Sequence, residues 1–457
     1  MELAHIQHLY NRVGFGITPK QVEMVSSKSK KEIVDTLFDT SKKATPLKVD
    51  ISFMDNYTLA DLKDIKKRRE FQKLSRKKVL DYNFAWLKRL SNPTELLREK
   101  MMLFWANHFV CESKNILFAQ QYNNALRENA LENFGDFVKI IAKEPAMLAY
   151  LNNKQNKKGS PNENFSRELM ELFTLGQDQY SQKDIAEAAR AFTGYNNNFR
   201  GNFVFNSNQH DESEKTVFGK SGNFNGEDIV DLILEKKHCA KFICEKIYMY
   251  FVNDRLNKNH VAEMTTVFYN NYNIEKLMRF VLTSDWFYAD DNLSSKIKSP
   301  VEFLIGLNTI VPYQIEQPKK AILLQKLLGQ VLLYPPNVAG WKTGKYWIDS
   351  NTIVTRLRLP SVLLNNAQIT YSDKGDEEAM ITNFSEKKLQ RKTFVKAKID
   401  WESFDKNFEK SSHQDLITEI LGSKINKGTH VLLKQNQNVS KRDFCVQLLS
   451  LPEYQLC

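Results

Sequence analysis

The chain has 457 residues, 42% of them hydrophobic and 11% aromatic, which is more than one hydrophobic core usually organises and excludes an intrinsically disordered protein. Its 65 Lys and Arg against 54 Asp and Glu give a formal charge of +11, but the basic residues sit beside acidic ones along helix faces, so solvated surface is the first reading and an anionic partner the second. Five cysteines without a CxxC spacing exclude a complete disulfide framework. With neither a charged leader and apolar core nor a run of about 18 apolar residues, a reduced, cytoplasmic setting without a membrane span is expected.

Residues 3–13 predict a short helix stopped at Gly14, and Thr18-Pro19 predicts an N-cap with Pro at N1 that opens a second. Residues 58–91 read as one long basic helix, striped by Leu59, Leu62, Phe71, Leu74, Leu80, Phe84 and Leu87. Its KDIKKRREF and SRKKVL stretches are the best nucleic-acid candidates, but no binding motif accompanies them, so nucleic acid is not the expected partner. Asn92-Pro93 opens PTELLREKMMLFWANHFV, which sets Leu97, Met101, Phe104, Trp105 and His108 on one side. Two or three helices fill 115–152, and NNKQNKKGSPNEN is a polar loop leading into 161–226, the densest stretch of ionisable residues.

Within that stretch, PNENFSRELMELFTLG predicts a helix from about Asn162 to Gly176, with Glu168 at the edge of a stripe of Phe165, Leu169, Leu172 and Phe173. YSQKDIAEAARAFTGY predicts another, with a Ser181–Asp184 capping box and with Glu187 and Arg190 off its apolar face and able to pair. Phe199, Phe203 and Phe205 alternate with Asn and Gly, which predicts one small β-hairpin near 198–206. Three or four helices follow over 227–288, one starts at Ser299-Pro300, and one covers 318–331. A loop forced by Pro335, Pro336 and Gly340 carries Trp341 and Trp347, before a helix over about 350–367. Residues 372–400 are charged and aperiodic. They are expected to link a main helical domain, 1–371, to a small helical appendage with helices at 413–421 and 440–450. The expected fold class is mostly α: a multi-helix bundle with one small β-hairpin insertion.

The pieces HLYNRVGFGITPKQV, FWANHFV, NFSRELMELFTLG, YSQKDIAEAARAFTGY, HDESEKTVFGKSGNFNGEDIVDLIL, KSPVEF and PPNVAGWKTGKYWIDSNT follow the order of a bacterial family called domain of unknown function 1800. The chain resembles that family over roughly residues 5–365. The resemblance implies an all-helical fold and no settled activity. The family is often encoded beside a sulfatase-like family that tends to carry an export signal, which makes such a protein a candidate partner.

His108, Arg167, Glu168, Glu171, Glu187, Arg190, His210, Asp211 and Lys215 fall both in those pieces and in the bottom-up crowding. Three readings compete. In one, Arg167, Glu168, Glu187 and Arg190 form a half-buried ion network holding two short helices together, so that removing Glu168 strands a buried cation. In another, Glu168 or Glu171 is raised in pKa and works as acid or base with His108 or His210, while the segment from His210-Asp211 to Lys215 completes the cleft. In the third, His108, Glu168, Glu171, His210 and Asp211 converge on a divalent metal, the cofactor those residue types suggest. HExxH, GxSxG, a P-loop and GxGxxG are all missing. Arg167, Glu187, Arg190 and Lys215 are expected to bind, and Trp341 and Trp347 either to stack on a sugar ring or peptide or to plug a core. The functional expectation is a hydrolase acting on a glycan or another surface polymer. The alternative is a non-catalytic helical scaffold that binds a sulfatase-like partner or an anionic ligand.

Overall fold

Where apolar residues recur at the helical period the chain is helical, and the computed structural model has 21 α-helices among the residues it describes, 1–365, 395, 397–422, 425–435 and 438–457. The β structure among the described residues is three antiparallel two-stranded pairs. Local signals set many of the boundaries. Thr18 accepts from the Gln21 backbone N–H and Pro19 occupies the first helical turn; Ser181 and Asp184 make the reciprocal capping box. The long basic helix runs Ile65–Ser91, not from residue 58, because the Asp64 carboxylate takes the free N–H groups of Lys66 and Lys67 and fixes the start there. The expected hairpin pairs Tyr195–Asn197 with Phe203–Phe205, and a second, shorter one pairs Lys215–Val217 with Lys220–Gly222.

Two compact units interleave along the chain. The first comprises Val34–Phe287 and Pro335–Trp341. Its core is aromatic: Trp105, Phe109, Phe134 and Phe137 stack or meet edge to face. The helix Leu96–His108 is buried nearly all round, so its charged residues must be satisfied from inside. Glu99 accepts from Arg127 Nε at 2.6 Å and Arg89 Nη1 at 3.2 Å, while Arg98 donates to the carbonyls of Ser41, Arg127 and Glu128.

The second unit comprises Met1–Ile33, Tyr288–Tyr334 and Lys342–Cys457. Helices Pro300–Ile310, Pro318–Leu328, Ser350–Leu364, His413–Leu421 and Lys441–Leu449 pool Leu307, Leu328, Leu363, Leu416 and Phe444 in one core. The C-terminal helices therefore do not stand apart as an appendage, since the stripe of Leu416, Ile417, Ile420 and Leu421 needs this core to cover it. Ala397–Ile399, inside the expected linker, instead pairs with Tyr313–Ile315. Residues 372–394 and 396 of that linker lie outside the described residues. All five cysteines are free.

Candidate functional site

The NFSRELMELFTLG stretch begins as an α-helix, Asn164–Glu168, and then widens into a π-helical turn, Leu169–Thr174, before stopping at Gly176 with φ +77°. The Leu175 amide reaches back five residues to the Met170 carbonyl at 2.8 Å, and the Thr174 hydroxyl donates to the Leu169 carbonyl at 2.6 Å. The last carbonyls of the turn are taken from outside: Lys246 Nζ donates to Leu172 O at 3.2 Å, and His108 Nε2 to Phe173 O at 2.9 Å. His108 thus caps the turn from a fully aromatic cage, and burial holds its pKa well below the usual histidine value, with the nearby Lys246 charge adding to the effect. Its Nδ1 is buried and unpartnered.

Three charged residues of this segment point to different ends. Arg167 pairs with Glu163 at 2.9 Å and donates to Gln182 Oε1 at 3.0 Å, while Gln182 donates back to Glu163, so this trio ties the segment to the helix Gln182–Ala191. Glu171 accepts from Gln177 Nε2 at 3.1 Å and Tyr180 Oη at 3.3 Å. Glu168 is half-buried and takes neither a hydrogen bond nor an ion pair among the described residues. Burial raises its pKa, the charge of Glu171 raises it further, and Arg167 opposes them. The expectation that Glu168 shields a buried cation is therefore corrected: the cation beside it, Arg167, is answered by Glu163.

The remaining predicted residues gather one helix further on. Arg190 donates to Glu187 at 2.8 Å and to Asp211 at 2.8 Å; Glu187 also accepts the Thr216 amide, and Asp184 the Phe218 amide. Asp211 takes the Ser213 amide and gives its own amide to Thr193 Oγ1; the Arg190 guanidinium holds its carboxyl well below the usual carboxylate range. His210 is buried, with Nδ1 donating to the Thr193 carbonyl at 2.9 Å and its ring against Phe205. Lys215, also buried, donates to Ser213 O and Asn223 Oδ1. Gly194, at φ +82°, has no room for a Cβ against the Asn206 carbonyl, which brings the hairpin onto the helix. Glu187, Arg190 and Asp211 thus tie the second hairpin and the segment before it to the helix Gln182–Ala191, His210 anchors on Thr193 just past that helix, and Lys215 braces the chain on either side of its own hairpin. Nothing in these contacts brings His210 to Glu168.

Tyr150, outside the predicted set, has its pKa raised to about 12 by burial and then by Cys111, Glu112 and Glu168, which places it within electrostatic reach of all three. Glu144, at the N-cap position of the helix Pro145–Tyr150, has a buried Oε2 without a partner; burial, helped by the Glu128 charge, raises its pKa to about 7. The Cys111 thiol is pushed well up by burial and then by Glu144 and Glu112, so it stays protonated and is a poor nucleophile. The sequence signal for this cluster was present in CESKN and KEPAMLAY, but neither carries a recognisable spacing.

Among the described residues no group of three His, Cys, Asp or Glu side chains could hold a metal ion, so the five proposed ligands do not form a metal centre. Trp341 and Trp347 are both buried. Asn107 clamps Trp341 by accepting its amide at 2.6 Å and donating to its carbonyl at 3.4 Å, an anchor the sequence did not flag. Of that loop's aromatics Tyr346 stays exposed. Residues 66–70 of the basic helix are solvated, and no helix among the described residues is long and apolar enough to cross a membrane. Neither a curated protein nor a solved structure matches the chain. Residues 8–456 match the family described as Protein of unknown function (DUF1800), reaching well past the pieces that carried the resemblance, and the chain belongs to that family.

Proposed function

We propose that the chain is a hydrolase acting on a glycan or another bacterial surface polymer, with Glu168 as the proton donor and Glu171 as the companion carboxylate. The supporting observation is Glu168 itself: a half-buried carboxyl group with a raised pKa and no hydrogen bond to occupy it among the described residues, one turn from Glu171, which accepts from Tyr180 Oη and Gln177 Nε2. A carboxyl with raised proton affinity beside a second, hydrogen-bonded carboxyl is an arrangement that acid–base hydrolysis can use. Glu168 gives its proton to the leaving oxygen as that bond breaks, and Glu171 takes a proton from the attacking water. Activity would fall as pH rises through the Glu168 pKa, because the donor is then spent. The test is release of new reducing ends from a panel of bacterial surface glycans by wild type, Glu168→Gln and Glu171→Gln. Glu168→Gln should lose roughly 10²–10⁴-fold in rate while melting like wild type. Undiminished hydrolysis by Glu168→Gln, or no hydrolysis of any glycan by wild type, refutes the reading.

A non-catalytic scaffold is the second reading, favoured by the way His108, His210 and Asp211 are consumed by backbone and ion-pair contacts. In that reading the chain binds a sulfatase-like partner or an anionic ligand. Retained binding of such a partner by Glu168→Gln, without turnover, supports it.

A further inference from the structure

Arg356 carries a charge that its surroundings leave half unanswered. Its side chain is 0% exposed, in the helix Ser350–Leu364 of the second unit. Its Nη1 donates to the Lys298 carbonyl at 3.0 Å and to Gln455 Oε1 at 3.2 Å. The opposite edge, Nε and Nη2, has no acceptor among the described residues. That edge is the planar two-donor fork that grips carboxylate and phosphate oxygens in parallel. Gln455 has turned its oxygen to Arg356, and its own Nε2 is a further buried donor without an acceptor.

Among the described residues no carboxylate fills the gap. Glu302 is the acid whose charge reaches Arg356, but its Oε2 accepts the Ser299 amide at 2.7 Å in the capping box of its own helix. Burial lowers the Arg356 pKa to about 10, so the group remains a cation at neutral pH. A buried cation missing an anion on its bidentate edge is among the most unfavourable arrangements a core can hold. Phe303 lies beneath the guanidinium face, 5.5 Å from ring centre to charge, which softens the deficit without supplying an acceptor. Lys298, whose Nζ donates to the Tyr454 carbonyl at 2.8 Å, adds a second positive group beside the same two segments.

We propose that Arg356 anchors an internal site for a small oxyanion, gripped through the Nε–Nη2 edge with Gln455 Nε2 as the neighbouring donor. The ligand class is an anion that presents two oxygens to one planar fork, as inorganic phosphate or a small carboxylate does. This site belongs to the second unit and does not rest on the hydrolase reading of Glu168.

The test uses the full chain, exchanged into a buffer free of phosphate and of small carboxylates, and titrates inorganic phosphate at constant ionic strength while following Tm. Wild type should show a rise of a few degrees that sets in near Kd and then grows with the logarithm of phosphate concentration, because a ligand bound only by the folded state stabilises it in that way. Arg356→Lys keeps a cation but loses the fork, and should move the onset to at least roughly tenfold higher phosphate or abolish the rise. Gln455→Leu, a milder change, should weaken phosphate in the same direction and serves if Arg356→Lys does not fold. The proposal is overturned if wild type shows no rise, if perchlorate at equal ionic strength gives the same rise, or if both variants keep the wild-type onset.

Discussion

Replacing Glu144 by Gln should change how stability depends on pH more than it changes the fold. In the native chain the Glu144 carboxyl has a pKa near 7, raised from 4.5 chiefly by burial, and its Oε2 has no hydrogen-bond partner. Unfolding returns it to water and to its ordinary value. Between those two values the folded state holds a proton that the unfolded state releases, so stability falls as pH rises through the window. Each pKa unit is worth about 1.4 kcal/mol, so the group removes up to about 3 kcal/mol between pH 4.5 and pH 7. Gln matches the protonated carboxyl in shape and cannot ionise. At pH 5 the variant should be close to wild type, short of a pH-independent loss of up to about 1 kcal/mol for the buried amide donor. At pH 8 it should be the more stable protein by about 2–3 kcal/mol. Urea unfolding at pH 5, 6, 7 and 8 measures this directly, with the two stability curves converging at low pH and separating above it. Parallel curves across the whole range would refute the reasoning, since they would mean that Glu144 titrates in the folded chain as it does in water.

Two further predictions concern buried contacts. Glu99 and Arg127 are 0% and 1% exposed, so Glu99→Ala should cost about 3–5 kcal/mol by stranding the guanidinium, and Arg127→Met made on top of it should restore part of the loss in a double-mutant cycle. Gly340→Ala should cost about 1–3 kcal/mol, because φ is +86° there and the added Cβ would overlap Asn107 Oδ1; a melting temperature within error of wild type would show that the Asn107 clamp on Trp341 is slack.

Much of the fold was legible because it is written locally. Thr18, Ser181 and Gly176 announce helix ends through their own side chains or backbone, and the helical period does the rest. The start at Asp64 was missed because the stripe above it continued through Leu59 and Leu62, and only a cap decides where such a stripe becomes helix. The π-helical turn had no local signal either: its wider bonding follows from carbonyls that His108 and Lys246, distant in sequence, come to satisfy. For the candidate site, the sequence located the segment but not the grouping. Glu187, Arg190 and Asp211 do come together, whereas Glu168 lies within electrostatic reach of Tyr150, which depends on packing between segments that the sequence keeps apart. Burial, which sets the proton affinity of Glu144 and Glu168, is a property of that packing and of no motif.

The interleaving of the two units fixes an order of events during synthesis. Gln7, on the first helix, is bound by the carbonyls of Thr418 and Glu419, 411 and 412 residues later. At roughly 5–20 residues per second, that helix leaves the ribosome tens of seconds before its partner exists. Through that interval the apolar face of Ile6, Leu9 and Val13 has no core to enter, while Val34–Phe287 is nearly one uninterrupted stretch and can close on its own. The Leu3–Val13 helix therefore waits with its apolar face uncovered, the kind of segment a chaperone binds. A stalled or prematurely terminated chain would present a finished helical unit trailing an unpaired, sticky leader, a natural handle for quality control.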